Sequence, residues 1–119
     1  MSSGWIDELR ALKGEIAAAR MTLVNMILYS DRHGPEQQRL AQDTADAVNS
    51  HLSKLQAPDG KAAEFMDLKE TWDSFQETRE KELLPAILGE EKAIYEKIGA
   101  GIQKERLDHM YALLALLEK

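Results

Sequence analysis

Residues 58–89, PDGKAAEFMDLKETWDSFQETREKELLPAILG, carry the clearest helical pattern in this sequence. Proline and glycine stand near both ends of this stretch, where they interrupt helices, and are missing from its long interior. Inside it, large apolar side chains recur at steps of three or four residues, which is the period of one face of an α-helix. The recurring residues are Phe65, Leu68, Trp72, Phe75 and Leu83. The stretch therefore predicts one long amphipathic helix over residues 60–87.

The rest of the chain is divided in the same way. The pair Gly34 and Pro35 separates residues 3–32 from residues 36–57. A fourth segment, residues 90–118, follows residues 58–89. Each of these segments carries an apolar stripe at helical spacing. Because short connections place sequential helices antiparallel, the whole chain is predicted to be a single all-α domain, an up-down-up-down antiparallel four-helix bundle.

Two glycines, Gly99 and Gly101, lie inside the fourth predicted helix. Each costs about 1 kcal/mol relative to alanine in a helix interior. They indicate either a close approach of another helix or a loose turn at this point.

Composition excludes several classes of function. The chain has 119 residues, no cysteine, and a formal charge of −6 from 15 basic and 21 acidic residues. An acidic chain is a poor partner for nucleic-acid phosphates. Without cysteine there is no disulfide, thiolate metal site or covalent haem. No apolar run reaches the roughly 18 to 20 residues that a membrane helix needs.

The titratable residues predict neither a metal site nor an enzyme. His33, His51 and His109 fall at three different levels of the predicted bundle, and metal ligands must converge. His51, which lies on an apolar face, is expected to be a hydrogen-bonded residue rather than a ligand. The sequence has no glycine-rich phosphate loop, activated serine or paired Glu-x-x-His. We therefore expect no catalytic residues, no metal and no cofactor.

Arg79 interrupts the apolar stripe of residues 58–89. Counting residues from the connections places Asn25, Thr44 and Arg79 at about one level of the bundle. A desolvated guanidinium costs several kcal/mol unless an anion pairs with it. One interpretation is structural: the head of Arg79 reaches water, or it forms a salt bridge with Asp43. The other is a pocket in which Arg79, Asn25 and Thr44 bind a small anion such as a carboxylate.

Residues 71–110, TWDSFQETREKELLPAILGEEKAIYEKIGAGIQKERLDHM, resemble the second half of the four-helix-bundle ligand-binding domain of bacterial methyl-accepting chemotaxis receptors. The resemblance is carried by Trp72 and Phe75 followed by Thr78 and Arg79, by the Leu-Pro-Ala-Ile stretch, and by the run GIQKER. It implies a sensor domain of a signal transducer that lies outside the membrane, in the periplasm. Such a domain forms a homodimer, binds a small-molecule ligand and signals by shifting a helix.

The chain departs from these receptors in two respects. Their first and fourth helices continue into membrane spans, and no such spans are present in this sequence. A membrane-anchored parent from which this domain is cut, or a stand-alone relative, is therefore expected. Relatives that bind amino acids carry arginines on the first helix at the dimer interface, a place that Arg20 suits better than Arg10.

An alternative function needs no small-molecule ligand. The chain would then be a stand-alone adaptor or dimerisation bundle in the cytoplasm, and its polar layer would only fix the helix register. Trp5, Tyr95 and Tyr111 would supply the interface, because aromatic side chains dominate many protein contacts.

Overall fold

The computed structural model describes residues 2–29 and 34–119, and only the backbone of Ser2 and Ser3. All regular structure in these ranges is helical, which confirms the all-α class, and it forms four helical segments. The helices are α1 (Ser2–Leu28), α2 (Pro35–Lys54), α3 (Ala62–Thr78), α4 (Leu84–Leu88), α5 (Lys92–Ala100) and α6 (Ile102–Leu117), with a π-helical turn, Arg79–Leu83, between α3 and α4.

The first two predicted helices match α1 and α2 closely. The predicted range 3–32 runs past the end of α1, and residues 30–33 lie outside the described part of the chain. The second helix begins one residue earlier than predicted, at Pro35, and its last residue is Lys54 rather than residue 57. Proline is well suited to this first helical position, because its missing amide hydrogen would have no partner there.

The third predicted helix, 60–87, is interrupted by a π turn. Proline inside a helix lacks an amide hydrogen, and its ring clashes with the carbonyl four residues earlier. The helix changes to the wider π form just before Pro85, and the Leu84 amide donates to the Arg79 carbonyl five residues earlier. The helix thereby passes the proline and continues as α4 instead of ending.

The fourth predicted helix, 90–118, is broken at Gly101. This residue has φ −98° and ψ −106°, which is far from helical backbone. A Cβ at Gly101 would lie 2.7 Å from the Lys97 carbonyl oxygen, so glycine is needed at the break. A Cβ at Gly99 would lie 3.1 Å from Cδ1 of Ile27, so α5 also approaches α1 closely there. Gly101 therefore allows the break in the helix, and Gly99 allows the close approach of α1.

A single cluster of buried apolar side chains joins the helices. The five large apolar residues of the predicted stripe in residues 58–89 belong to it, whereas Ala62, which the spacing also places on that face, is exposed. Among the largest members that are fully buried are Leu9, Leu12, Ile16, Met26, Val48, Leu68, Trp72, Leu83, Ile87, Met110 and Leu117. α1 packs mainly on α2, and α3 packs mainly on α6. The described helices include none that is both long and apolar enough to cross a membrane.

Candidate functional site

A cleft of about 430 Å³ opens beside the break in the fourth segment. This volume lies within the range of sites for small organic molecules. Its walls are almost entirely apolar, and they come from α1, from the third segment and from α5. The wall residues are Leu23, Val24, Ile27, Leu28, Phe75, Leu83, Gly99 and Ala100. Four polar residues, Arg20, Glu96, Gln103 and Lys104, complete the lining.

Small residues create this space. Gly99 has no side chain and Ala100 has a single methyl group, so these two residues of α5 take up little of the space beside α1. The break at Gly101 follows directly and redirects the chain into α6. Because close packing normally fills the gap between helices, a larger side chain at position 100 would occupy the cleft.

Arg20 is the uncompensated charge at the rim. Its side chain is exposed and forms no ion pair with any other described residue. Lys104 is paired, because its Nζ lies 2.8 Å from Oδ2 of Asp108. Glu96 has a looser partner, with 3.8 Å between its Oε1 and Nζ of Lys92. The cleft thus combines apolar walls with one unpaired guanidinium.

The positive charge of Arg20 also acts on the Tyr111 side chain of α6. Burial raises the pKa of the Tyr111 phenol, and the positive charge of Arg20 opposes that rise. Arg20 therefore acts electrostatically on α6 as well as lying at the cleft.

Gln103 forms the polar floor of the cleft, and its side-chain amide already has hydrogen-bond partners within the chain. Its side chain is 3% exposed, and its Nε2 donates to the Phe75 carbonyl at 2.8 Å. Its Oε1 accepts from Nη1 of Arg106 at 3.0 Å, and the same nitrogen lies 2.6 Å from the Thr78 hydroxyl. The network ties α3 to α6. Sequence reasoning missed this role, although a glutamine on an otherwise apolar face was a signal.

Arg79 is buried and already bonded. Its side chain is 2% exposed, Nη1 donates to the Ala41 carbonyl at 3.0 Å, and Nη2 donates to Oε1 of Glu80 at 3.0 Å. Both structural alternatives for Arg79 are corrected. Its head does not reach water, because the side chain is buried. The alternative salt bridge with Asp43 is wrong as well, because Asp43 is exposed on α2 and the neighbouring Glu80 in the π turn is the ionic partner. The guanidinium lies inside the protein, and only Nε lacks a partner among the described residues.

The four predicted ligand residues do not form one site. Thr44 donates its hydroxyl to the Leu40 and Ala41 carbonyls at 2.9 and 3.1 Å, so it meets Arg79 at one shared oxygen. Asn25 is half-buried on α1, and no hydrogen bond joins it to Arg79 or Thr44 in the described part of the molecule. Arg20 lies at the cleft instead. A role of these residues in ligand binding stays a prediction.

His51 is held between two carboxylates of α1. Its Nδ1 lies 2.8 Å from Glu15 Oε1, and its Nε2 lies 2.5 Å from Glu8 Oε2. Burial alone lowers the pKa of His51, but the hydrogen bonds and charges of Glu8 and Glu15 outweigh burial and raise it above 6.5. Because both ring nitrogens face carboxylates, the contacts suit the doubly protonated ring.

The other histidines lie apart from His51. His109 contacts Asp67 at 3.1 Å on the surface, and His33 lies outside the described residues. Among residues 2–29 and 34–119, no group of three histidine or carboxylate side chains is arranged to hold a metal ion. Glu8, His51 and Glu15 are joined by hydrogen bonds through the two ring nitrogens.

Comparisons with protein-family models, with curated proteins and with solved structures find no match to this chain.

Proposed function

We propose that this chain is a sensory ligand-binding domain of the chemotaxis-receptor type. It binds a small molecule in the cleft beside Gly101 and signals by displacing a helix within a homodimer. The observation that carries the proposal is the position of the cleft, whose walls include α1 and α5. These helices belong to the first and fourth segments, which in the receptors that residues 71–110 resemble lead to the membrane.

The proposal includes an up-down-up-down antiparallel arrangement of the four segments. Nε1 of Trp5 donates to the Leu117 carbonyl at 3.1 Å, and Nε of Arg10 lies 3.0 Å from Oε1 of Glu118. These contacts support it, because the start of α1 and the end of α6 lie together. A domain whose first and last helices meet at one pole suits attachment to a single membrane face.

The break at Gly101 supports the signalling step. α5 has nine residues, and its chain link to α6 is a non-helical glycine. A ligand in the cleft touches α1 on one side and α5 on the other, so binding favours one spacing of these helices over another. A ligand shifts such an equilibrium only by its differential affinity for the two arrangements.

The aromatic residues expected for an adaptor interface pack against other residues of this chain. Trp5 packs edge-on against Phe65, with ring centroids 5.8 Å apart. Tyr95 is 8% exposed, and Tyr111 is half-buried with Nζ of Lys13 5.4 Å from its ring centroid. The adaptor alternative therefore gains no support from these side chains.

A thermal-shift screen of amino acids, sugars, carboxylates and aromatic compounds tests the proposal. Three proteins are compared: the wild type, Ala100→Phe to fill the cleft, and Ala47→Phe as a matched control on the exposed face of α2. A compound at 100 times its dissociation constant adds about 2.7 kcal/mol of stability. We expect at least one compound to stabilise the wild type and Ala47→Phe but not Ala100→Phe.

Two results contradict this function. One is a screen in which no compound stabilises the wild type. The other is a set of hits that stabilise Ala100→Phe as well as they stabilise the wild type, since their binding site is then elsewhere. Sedimentation of the wild type with a hit is expected to show a dimer, and a strictly monomeric complex contradicts the dimer step.

A further inference from the structure

We infer that the cleft takes monocarboxylates with an apolar body, either an alkyl chain or an aryl ring. The carboxylate pairs with Arg20, and the body lies between α1 and α5. This assignment of a ligand class rests on the proposed function, because it concerns the same cleft.

The walls of the cleft favour an apolar body. They are aliphatic apart from the ring of Phe75. The one polar side chain of the floor, Gln103, already bonds to the Phe75 carbonyl and to Arg106. A hydroxyl or ammonium group on the buried part of a ligand therefore meets groups that cannot replace its bonds to water, and burying it is costly. Sugars and free amino acids fit these walls poorly.

Arg20 favours a carboxylate at the rim. A guanidinium binds a carboxylate through two parallel hydrogen bonds, and this one has no ion-pair partner among the described residues. Leu23 and Val24 follow it by three and four positions on α1, so they lie on the same side of that helix. The charged head and the apolar body of one ligand can thus contact a single face of α1.

Glu96 favours one carboxylate over two. It lines the same cleft from α5, and its Oε1 is 3.8 Å from its nearest cation, Nζ of Lys92. A second carboxylate on the ligand would approach this negative charge. The rim therefore offers one site for an anion and opposes another.

Calorimetric titration with octanoate, octan-1-ol and octanedioate tests the inference. The proteins are the wild type, Arg20→Gln, and Arg39→Gln as a matched control for loss of an exposed arginine on α2. We expect octanoate to bind the wild type and Arg39→Gln equally, and Arg20→Gln about tenfold more weakly, which is about 1.4 kcal/mol. Octan-1-ol should bind all three proteins alike, and octanedioate should bind the wild type more weakly than octanoate.

The outcomes separate the ligand class from the proposed function. Equal affinity of octanoate for Arg20→Gln and the wild type overturns the pairing with Arg20, although the cleft remains a ligand site. Failure of octanoate to saturate the wild type also overturns the inference. The proposed function falls only if the wider screen finds no ligand that Ala100→Phe blocks.

Discussion

Nη1 of Arg79 donates a hydrogen bond to the carbonyl oxygen of Ala41 over 3.0 Å, although the arginine side chain is only 2% exposed. The bond joins the π turn of the third segment to the backbone of α2. The ionic partner, Glu80, is about half exposed, so water still solvates that carboxylate. The Arg79 guanidinium is thus a buried charge that bonds to one backbone carbonyl and one partly solvated carboxylate.

The first prediction separates the packing of Arg79 from its charge. We expect Arg79→Ala to lower the free energy of unfolding by about 3 kcal/mol, because it leaves a cavity and removes a buried bond. Arg79→Met fills most of the same volume without a buried charge, so its cost should be below about 1 kcal/mol. Urea denaturation measures both. Equal losses in the two variants would show that the charge and its bonds, rather than volume, stabilise this turn.

The second prediction concerns the pH dependence of stability through His51. Its pKa is raised in the folded protein above 6.5, so its contribution is fully present below that pH and is lost as the pH rises through the folded pKa. His51→Gln should therefore lose more stability relative to the wild type at about pH 5.5 than at about pH 8.5. Urea denaturation at the two pH values measures this difference.

His109→Gln is the matched control for His51. The His109 side chain is about half exposed and contacts the single carboxylate Asp67, so solvent screens that pair and a smaller loss is expected. If the loss from His51→Gln is the same at both pH values, the two carboxylates Glu8 and Glu15 do not hold a proton on His51.

The third prediction compares two glycines in helical segments. Gly101→Ala places a Cβ 2.7 Å from the Lys97 carbonyl oxygen and should cost about 2 kcal/mol of stability, since the backbone must move. Gly14 lies inside α1 with open space around it, so Gly14→Ala should add up to about 1 kcal/mol. Thermal unfolding measures both changes. A stabilised Gly101→Ala would mean that the fourth segment is able to run as one continuous helix.

The fourth prediction concerns the polar floor of the cleft. Gln103→Leu removes the donor to the Phe75 carbonyl and the acceptor of Arg106, and should cost about 2 kcal/mol because buried polar groups lose partners. Gln42 bonds to Asp46 on the exposed face of α2, so Gln42→Leu should change stability by less than about 0.5 kcal/mol. Similar effects of the two substitutions on urea denaturation would contradict the structural role of Gln103.

The helical segments were predictable because their signals are local. Apolar spacing and the positions of Pro35 and Gly89 act within a few residues along the chain, and they placed the segments to within a few residues. Pro85 also signalled a strained helix. Whether that helix ends, kinks or widens depends on the packing of Ala86 and Ile87, which are buried in the core and hold α4 in line. The π turn is therefore a tertiary outcome.

The candidate site was predictable only in part. The spacing of the third segment placed Arg79 on the inner face, and the structure buries it there. Its partner could not be read from the sequence, because the choice between Asp43 on α2 and Glu80 in the π turn depends on how these segments pack. Arg20 was chosen as a ligand residue from the resemblance. The apolar walls beside it were not anticipated, since they combine residues from three segments.

The all-α class, the four helical segments and the inward position of Arg79 follow from local features of the sequence. Helical periodicity and helix-breaking residues carry that information within short stretches of chain. The bonds of Arg79 to Ala41 and Glu80, and the cleft that opens where Gly99 and Ala100 face α1, result from tertiary packing. A cavity and a buried ion pair depend on the distances between helices, and those distances result from the packing of the whole core.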